Sequence, residues 1–300
     1  MIIDFDGFFK ENQIEYKVDE PLSHYLTFKV GGPCKYMVFP DSEAKAADLI
    51  GFLRNNGADY YILGNGSNLL AYDSNYSGVI VNTQKLDAVS LSGETLTCLS
   101  GTPLIKVCRL ALENSLTGME CLYGIPGTVG GAVYMNAGAY GGEVKDIIVS
   151  AVVVDECGSI SSVNKSDMNL GYRRSCFSEN NSFILSAAFN LRPGDKSLIK
   201  AEMNELLQKR KDKQPLEYPS AGSTFKRPEG YYAGALIEES GLKGFSVGGA
   251  CVSEKHAGFV INKGGATCDD ILRVIEHCRE KVFKDRGVLL ETEVKIIGQV

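Results

Sequence analysis

The chain has 300 residues, 44% hydrophobic and 23% charged, with a formal net charge of −6. Such a composition buries a sizeable core and excludes a globally disordered chain; the acidic balance disfavours nucleic acid as a partner. No apolar run approaches the ~20 residues of a membrane helix. Residues 1–13, MIIDFDGFFKENQ, lack the apolar core of a signal peptide, so none is expected.

The length suggests two domains. Residues 41–43, Asp-Ser-Glu, start a helix whose apolar positions are Ala46, Ala47, Leu49, Ile50 and Leu53, and Asn56-Gly57 ends it. Residues 60–63 read as a short buried strand entering a glycine loop, with further strands at 78–82 and 95–99. Thr102-Pro103 is a cap and first helical position for a helix to residue 114, with Leu104, Val107, Cys108, Leu110 and Ala111 facing inward. Strands follow at 149–154 and 183–191. A turn at 192–195, Arg-Pro-Gly-Asp, marks the domain boundary. Beyond it come helices at 195–211 and 233–239, a strand at 259–262, a long amphipathic helix at 269–286 capped by Gly287, and a strand at 289–297.

Nine cysteines are scattered at 34, 98, 108, 121, 157, 176, 251, 268 and 278, with no C-x-x-C. This pattern fits reduced, mostly core thiols in a cytoplasmic protein. With three histidines and no ligand spacing, no metal site is expected.

Glycine is in excess, 33 residues where a usual ~7% would give about 21. The glycines cluster. One group is Gly31-Gly32. A second follows the strand at 60–63 as Gly64, Asn65, Gly66, Ser67, Asn68 and Leu69. Glycine admits positive φ and close backbone approach, so N–H groups can converge on an anion, while Ser and Asn add donors. A tight strand–strand turn is the plain alternative. Neither a Rossmann G-x-G-x-x-G before a helix nor a P-loop is present. The third group is GIPGTVGGAVYMNAGAYGGE at 124–143, with seven glycines and one charge. Such a segment suits backbone lying flush against a large flat ligand or a pyrophosphate.

These two segments, together with GYRRSCF at 171–177, YPSAGSTFKRP at 218–228, SEKHAGFVIN at 253–262 and LETEVKIIG at 290–298, resemble the UDP-N-acetylenolpyruvoylglucosamine reductase family in its own order. The resemblance implies an α+β chain: an FAD-binding fold of the vanillyl-alcohol-oxidase/p-cresol-methylhydroxylase type, with a smaller α+β substrate-binding domain. It places the FAD-binding domain at 1–194, split near 80, with the C-terminal strand at 288–300 as a candidate addition to it, and the substrate domain at 195–287. It implies noncovalent FAD, NADPH as reductant, and reduction of UDP-N-acetylglucosamine enolpyruvate to UDP-N-acetylmuramate, a peptidoglycan precursor, by a cytoplasmic monomer.

Carried onto matching positions, the resemblance gives three catalytic residues. Arg173 would grip the carboxylate where negative charge develops, with Arg174 the adjacent alternative. Ser223 would donate the proton to the enolate carbon. Glu293 matches the family's C-terminal glutamate; Glu291 is the fallback, since on a strand both would face one side. FAD contacts are expected from the second glycine group and from Gly124, Pro126, Gly127, Thr128, Gly130, Gly131, Ala132, Asn136 and Gly138. A side chain at Gly66 or Gly130 would then fall where the cofactor lies. Tyr172, Lys213 and Arg227 are substrate-side candidates, with Lys213 in a basic run that also suits a helix C-terminus. Tyr123 could pack near the flavin, and His256 reads as structural. Tyr25 and Leu26 depart from the usual family residues, as does Cys251, which stands where an amide is common. The short stretch between Phe177 and Gln214 resembles the subclass without an inserted tyrosine loop. Another FAD oxidoreductase of this fold and a non-catalytic nucleotide-sugar module are the alternatives. With a single set of dinucleotide-type glycine loops, NADPH and the UDP-sugar are expected to use one pocket in turn.

Overall fold

The computed structural model describes residues 3–155, 158–180 and 182–298, so Cys157 lies outside the described residues. The chain forms two compact units: Met1–Val18, Tyr36–Asn65 and Gly78–Gln208 in one, and Asp19–Lys35, Gly66–Ser77 and Lys209–Val300 in the other. The units therefore do not follow one cut at 194. The reason is packing: Phe28, Val30 and Leu70, from the two early segments of the second unit, are buried in one core with Leu236, Ile237, Val260 and Val274.

In the first unit a five-stranded antiparallel sheet runs in the order Ile160–Asn164, Ile148–Val154, Phe183–Asn190, Thr95–Leu99, Val89–Ser92. Phe183–Asn190 is buried on both faces, which is why it reads as an apolar run interrupted only by Ser186 before its terminal Asn190. Ile184, Ala187 and Phe189 join one core, shared with Leu104, Val107, Val129 and Val133. Phe183 and Leu185 join another with Leu49, Ile50, Leu53, Val79 and Val81. Each of these side chains larger than alanine, fully buried, contributes about 1.5–3 kcal/mol. The helix Glu43–Asn55 is capped by Ser42, whose Oγ accepts from Lys45 N at 3.3 Å. The strand Tyr60–Leu63 lies parallel to Tyr76–Asn82. Strands Glu15–Pro21 and Pro33–Phe39 belong to the same four-stranded sheet, and the charged residues of Glu15–Pro21 break its apolar pattern.

One local expectation changes. The helix Leu104–Glu113 begins after Pro103, which is itself the extended N-cap. The Thr102 hydroxyl instead donates to the Ala88 carbonyl at 2.9 Å. Extended Pro103 bridges Thr128, with Leu104 N donating to Gly127 O at 3.0 Å and Val129 N to Thr102 O at 2.9 Å. This short ladder fixes the glycine-rich segment.

In the second unit the three-stranded sheet Ser246–Val247, Ala250–Val252, Val260–Asn262 packs against the helix Cys268–Arg286 through Ile271, Val274, Ile275 and Cys278. Thr267 and Asp270 form a reciprocal cap at its start, and Gly287 closes it at φ 68°. The strand expected over 289–297 is only Lys295–Ile297, parallel to Leu69–Ala71. Residues ahead of it make a single bridge, Phe225 to Thr292, rather than a ladder.

Eight described cysteines are free, six of them buried. Burial pushes the Cys34, Cys98, Cys268 and Cys278 thiols up to about 12, as expected of inert core residues. Among the described residues no helix is long and apolar enough to cross a membrane.

Candidate active site

In the first unit two glycine segments converge. Asn65 Nδ2 donates to the Pro126 carbonyl at 2.7 Å, and a Cβ on Gly64 would lie 2.5 Å from Thr128 Oγ1. Beside them is a cavity of about 500 Å³ lined by Asn65, Gln84, Pro103, Tyr123, Gly127 and Thr128, among others. Its size suits a nucleotide-sized group. Thr128 caps the short helix Val129–Tyr134. Ala132 is buried in the core, so only its backbone is available.

The glycines do different jobs. A Cβ on Gly130 would meet Ser100 Cβ at 2.8 Å, and one on Gly66, at φ 60°, would meet the Tyr25 carbonyl at 2.5 Å. Both permit close packing of protein on protein, so a side chain there would distort the backbone before it reached a ligand. This corrects the expectation from sequence. Gly131 is exposed, and its nearest neighbour would be Thr128 Oγ1 at 3.6 Å. A side chain there would enter open space beside the Thr128 cap. Gly138 is also a packing glycine, with a Cβ 2.5 Å from Gly142 O. Asn136, expected to touch cofactor, is only 1% exposed, and its amide is spent on protein partners described below.

In the second unit the loop after Asn65 is tied to the C-terminal segment. Asn68 Nδ2 donates to the Glu293 carbonyl at 3.3 Å, and Lys295 N donates to Asn68 O at 3.0 Å. Leu69 is buried and Ser67 half-buried. Thr27, which the sequence did not single out, donates its hydroxyl to Ser220 O at 2.6 Å, with Gly66 O 3.3 Å away. Of the family departures, Leu26 is core and the Tyr25 hydroxyl donates to Glu20 at 2.9 Å. Cys251 is fully buried with Phe259 and Ile261.

Ser223 is exposed, between Gly222 at φ 76° and buried Thr224. Thr224 anchors this point: its N–H donates to Gly258 O at 2.8 Å, its Oγ1 accepts from Val260 N at 2.9 Å, and its carbonyl accepts from Glu293 N at 2.8 Å. Ser223 and Glu293 are thus carried on adjoining segments. A threonine in a turn-like run gives no sequence signal of such a role. Glu293 is 8% exposed. His256 supports the same anchor: its Nδ1 accepts from Gly258 N at 3.1 Å, and its ring meets Phe259 edge-on. Burial lowers its pKa, keeping it neutral and structural.

In the first unit Gly171 and Arg174 exchange backbone hydrogen bonds at 3.0 and 3.2 Å, placing Tyr172 and Arg173 at the tip of a tight turn. Arg173 has φ 53°, which costs about 1–2 kcal/mol for a residue with a Cβ. Its Nη1 donates to Gly138 O at 3.4 Å, and the guanidinium lies 5.4 Å from the Tyr172 ring centroid. Tyr172 is half exposed. Arg174 points elsewhere, to a surface pair with Glu179 at 2.8 Å.

Lys213, exposed, ends the helix Lys196–Lys213. The basic run is not one patch, since Arg210 is 9% exposed. Arg227 is exposed and stacks 4.7 Å over Tyr232. No group of described His, Cys, Asp and Glu residues could hold a metal.

Residues 34–164 match the family model described as an FAD binding domain, and 214–297 match UDP-N-acetylenolpyruvoylglucosamine reductase, C-terminal domain. A UDP-N-acetylenolpyruvoylglucosamine reductase of Clostridium perfringens (strain SM101) is 49% identical over 288 residues, 96% of this chain and 95% of the relative. The crystal structure of UDP-N-acetylenolpyruvylglucosamine reductase from Thermus caldophilus superposes with TM-score 0.80 at 32% identity, covering 94% of this chain and 98% of that one. Berberine bridge enzyme from Eschscholzia californica, at 18% identity and TM-score 0.51 over 64% of this chain and 44% of that one, shares the fold alone. The architecture is therefore the expected FAD-binding fold joined to the family's C-terminal domain.

Proposed function

Because this chain belongs to the UDP-N-acetylenolpyruvoylglucosamine reductase family, we propose that it uses NADPH and noncovalent FAD to reduce the enolpyruvyl group of UDP-N-acetylglucosamine enolpyruvate to UDP-N-acetylmuramate, for peptidoglycan synthesis. The observation that carries the proposal is the Thr224 anchor that joins the segments carrying Ser223 and Glu293, in a chain that also holds the glycine cradle around Asn65 and Thr128.

The residues present fit the cofactor: glycine backbone at 64 and 124–131, Asn65, and the adjoining cavity would hold its nucleotide part. Bound FAD supplies hydride acceptance and donation. The chain supplies the rest. Arg173 holds the substrate carboxylate and balances charge developing on the neighbouring carbon. The Ser223 hydroxyl delivers a proton to that carbon. Glu293, withdrawn from solvent on the adjoining segment, is the carboxyl assigned to the same site. Lys213 and Arg227 hold the diphosphate, and Tyr172 borders the sugar. The C-terminal unit is read as the main substrate-binding part.

NADPH and the UDP-sugar take turns in one pocket, which gives parallel double-reciprocal lines. The protein is read as a monomer, and the free core thiols are in keeping with a cytoplasmic location. The test is NADPH oxidation by the purified protein. Turnover beyond one equivalent of NADPH per flavin should require the enolpyruvyl sugar and yield a product two hydrogens heavier; sustained oxidation indifferent to the sugar would refute the proposal.

A further inference from the structure

The tightest polar network near Arg173 is centred on Asn136, which belongs to the glycine-rich segment rather than to the arginine's own turn. Asn136 has φ 42° and is 1% exposed. Its Nδ2 donates to Gly171 O and to Glu143 Oε2, both at 2.9 Å, and its Oδ1 accepts from Lys145 N at 2.8 Å. Glu143 is held in turn by Lys145 Nζ at 2.6 Å. Every polar atom of the Asn136 amide is used, which fixes which way the amide faces.

Gly171 O is the carbonyl that closes the turn bearing Arg173, through Arg174 N. That turn places Arg173 where glycine is favoured. Strained backbone of this kind persists only where surrounding bonds over-determine it. The Asn136 amide supplies one such bond, and Gly138 O, two residues along the same segment, receives the Arg173 guanidinium.

We propose that Asn136, oriented by Glu143, is a positioning residue that holds the Arg173 guanidinium in place for the substrate carboxylate. The inference rests on the role given above to Arg173. Asn136 touches the turn and not the substrate, so its effect passes through Arg173.

The test is a double-mutant cycle on the holoenzyme, following each half-reaction by flavin absorbance. Asn136→Ala should slow reoxidation by the UDP-sugar by about tenfold and leave flavin content and reduction by NADPH unchanged. In an Arg173→Ala background the same change should have no further effect on reoxidation. A fall of similar size in both backgrounds, or an equal fall in both half-reactions, would overturn the inference. Should Asn136→Ala not fold, Glu143→Ala, which removes one of the two acceptors of Nδ2, runs the same cycle. Arg173→Ala alone leaving reoxidation intact would refute instead the underlying reading of Arg173.

Discussion

Glu291 and Glu293 are two residues apart, yet only one is withdrawn from solvent. Glu291 is an exposed carboxylate 3.0 Å from Lys226 Nζ, while Glu293 is 8% exposed, with its backbone held by Thr224 and Asn68. On a regular strand they would share a side; here the strand begins only at Lys295. Glu293→Gln should lower kcat by roughly 10²-fold or more, within the range for acid–base groups. Glu291→Gln, which removes only a surface pair, should change it less than about threefold. Steady-state assays of the two variants decide; equal losses would remove Glu293 from its assigned role.

Gly131→Leu tests the cradle. Leucine favours the helix by about 1 kcal/mol over glycine and meets nothing within 3.4 Å at its Cβ. The variant should unfold cooperatively at a temperature near that of the parent but be isolated without flavin. Full flavin content in the folded variant would show that the cofactor does not pass Gly131.

Ser223→Ala should separate the half-reactions. The Ser223 side chain is exposed, so its loss should leave stability within about 0.5 kcal/mol. Flavin reduction by NADPH should be nearly unchanged and reoxidation by the UDP-sugar slowed by roughly 10²-fold or more. Slow reduction with normal reoxidation, seen by rapid mixing, would contradict the proton-donor role.

His256 contributes a pH dependence of stability. Burial holds its pKa below 6.5, so the folded state favours the neutral ring. The unfolded chain then binds the proton more readily below that value. Stability from this residue is complete above about pH 6.5 and is lost as pH falls through the window beneath it. His256→Gln should flatten this part of the melting-temperature profile; an unchanged slope would assign the acid sensitivity elsewhere.

Much of the fold was legible because its period was clear. The helices at Glu43–Asn55 and Cys268–Arg286 carry apolar stripes and capping residues, and the doubly buried strand Phe183–Asn190 is apolar except at Ser186 and Asn190. What stayed hidden depended on long-range packing. Nothing local in Phe28 or Leu70 says that they join the core of the C-terminal helix. The site divided the same way. The roles proposed for Ser223, Arg173 and Glu293 come from motif, whereas Thr27 and Thr224 act through bonds to residues far along the chain, and short hydroxyl residues carry no mark of that. The glycines were found as a group, but which of them pack protein and which face open space is a property of the folded backbone.

The most direct test of the central claim is an anaerobic titration of the purified yellow protein followed by its absorbance. One equivalent of NADPH should bleach the flavin bands, and one equivalent of UDP-N-acetylglucosamine enolpyruvate should then restore them while UDP-N-acetylmuramate forms in equal amount. Flavin that stays bleached in the presence of the sugar and recovers only when oxygen is admitted would contradict the account.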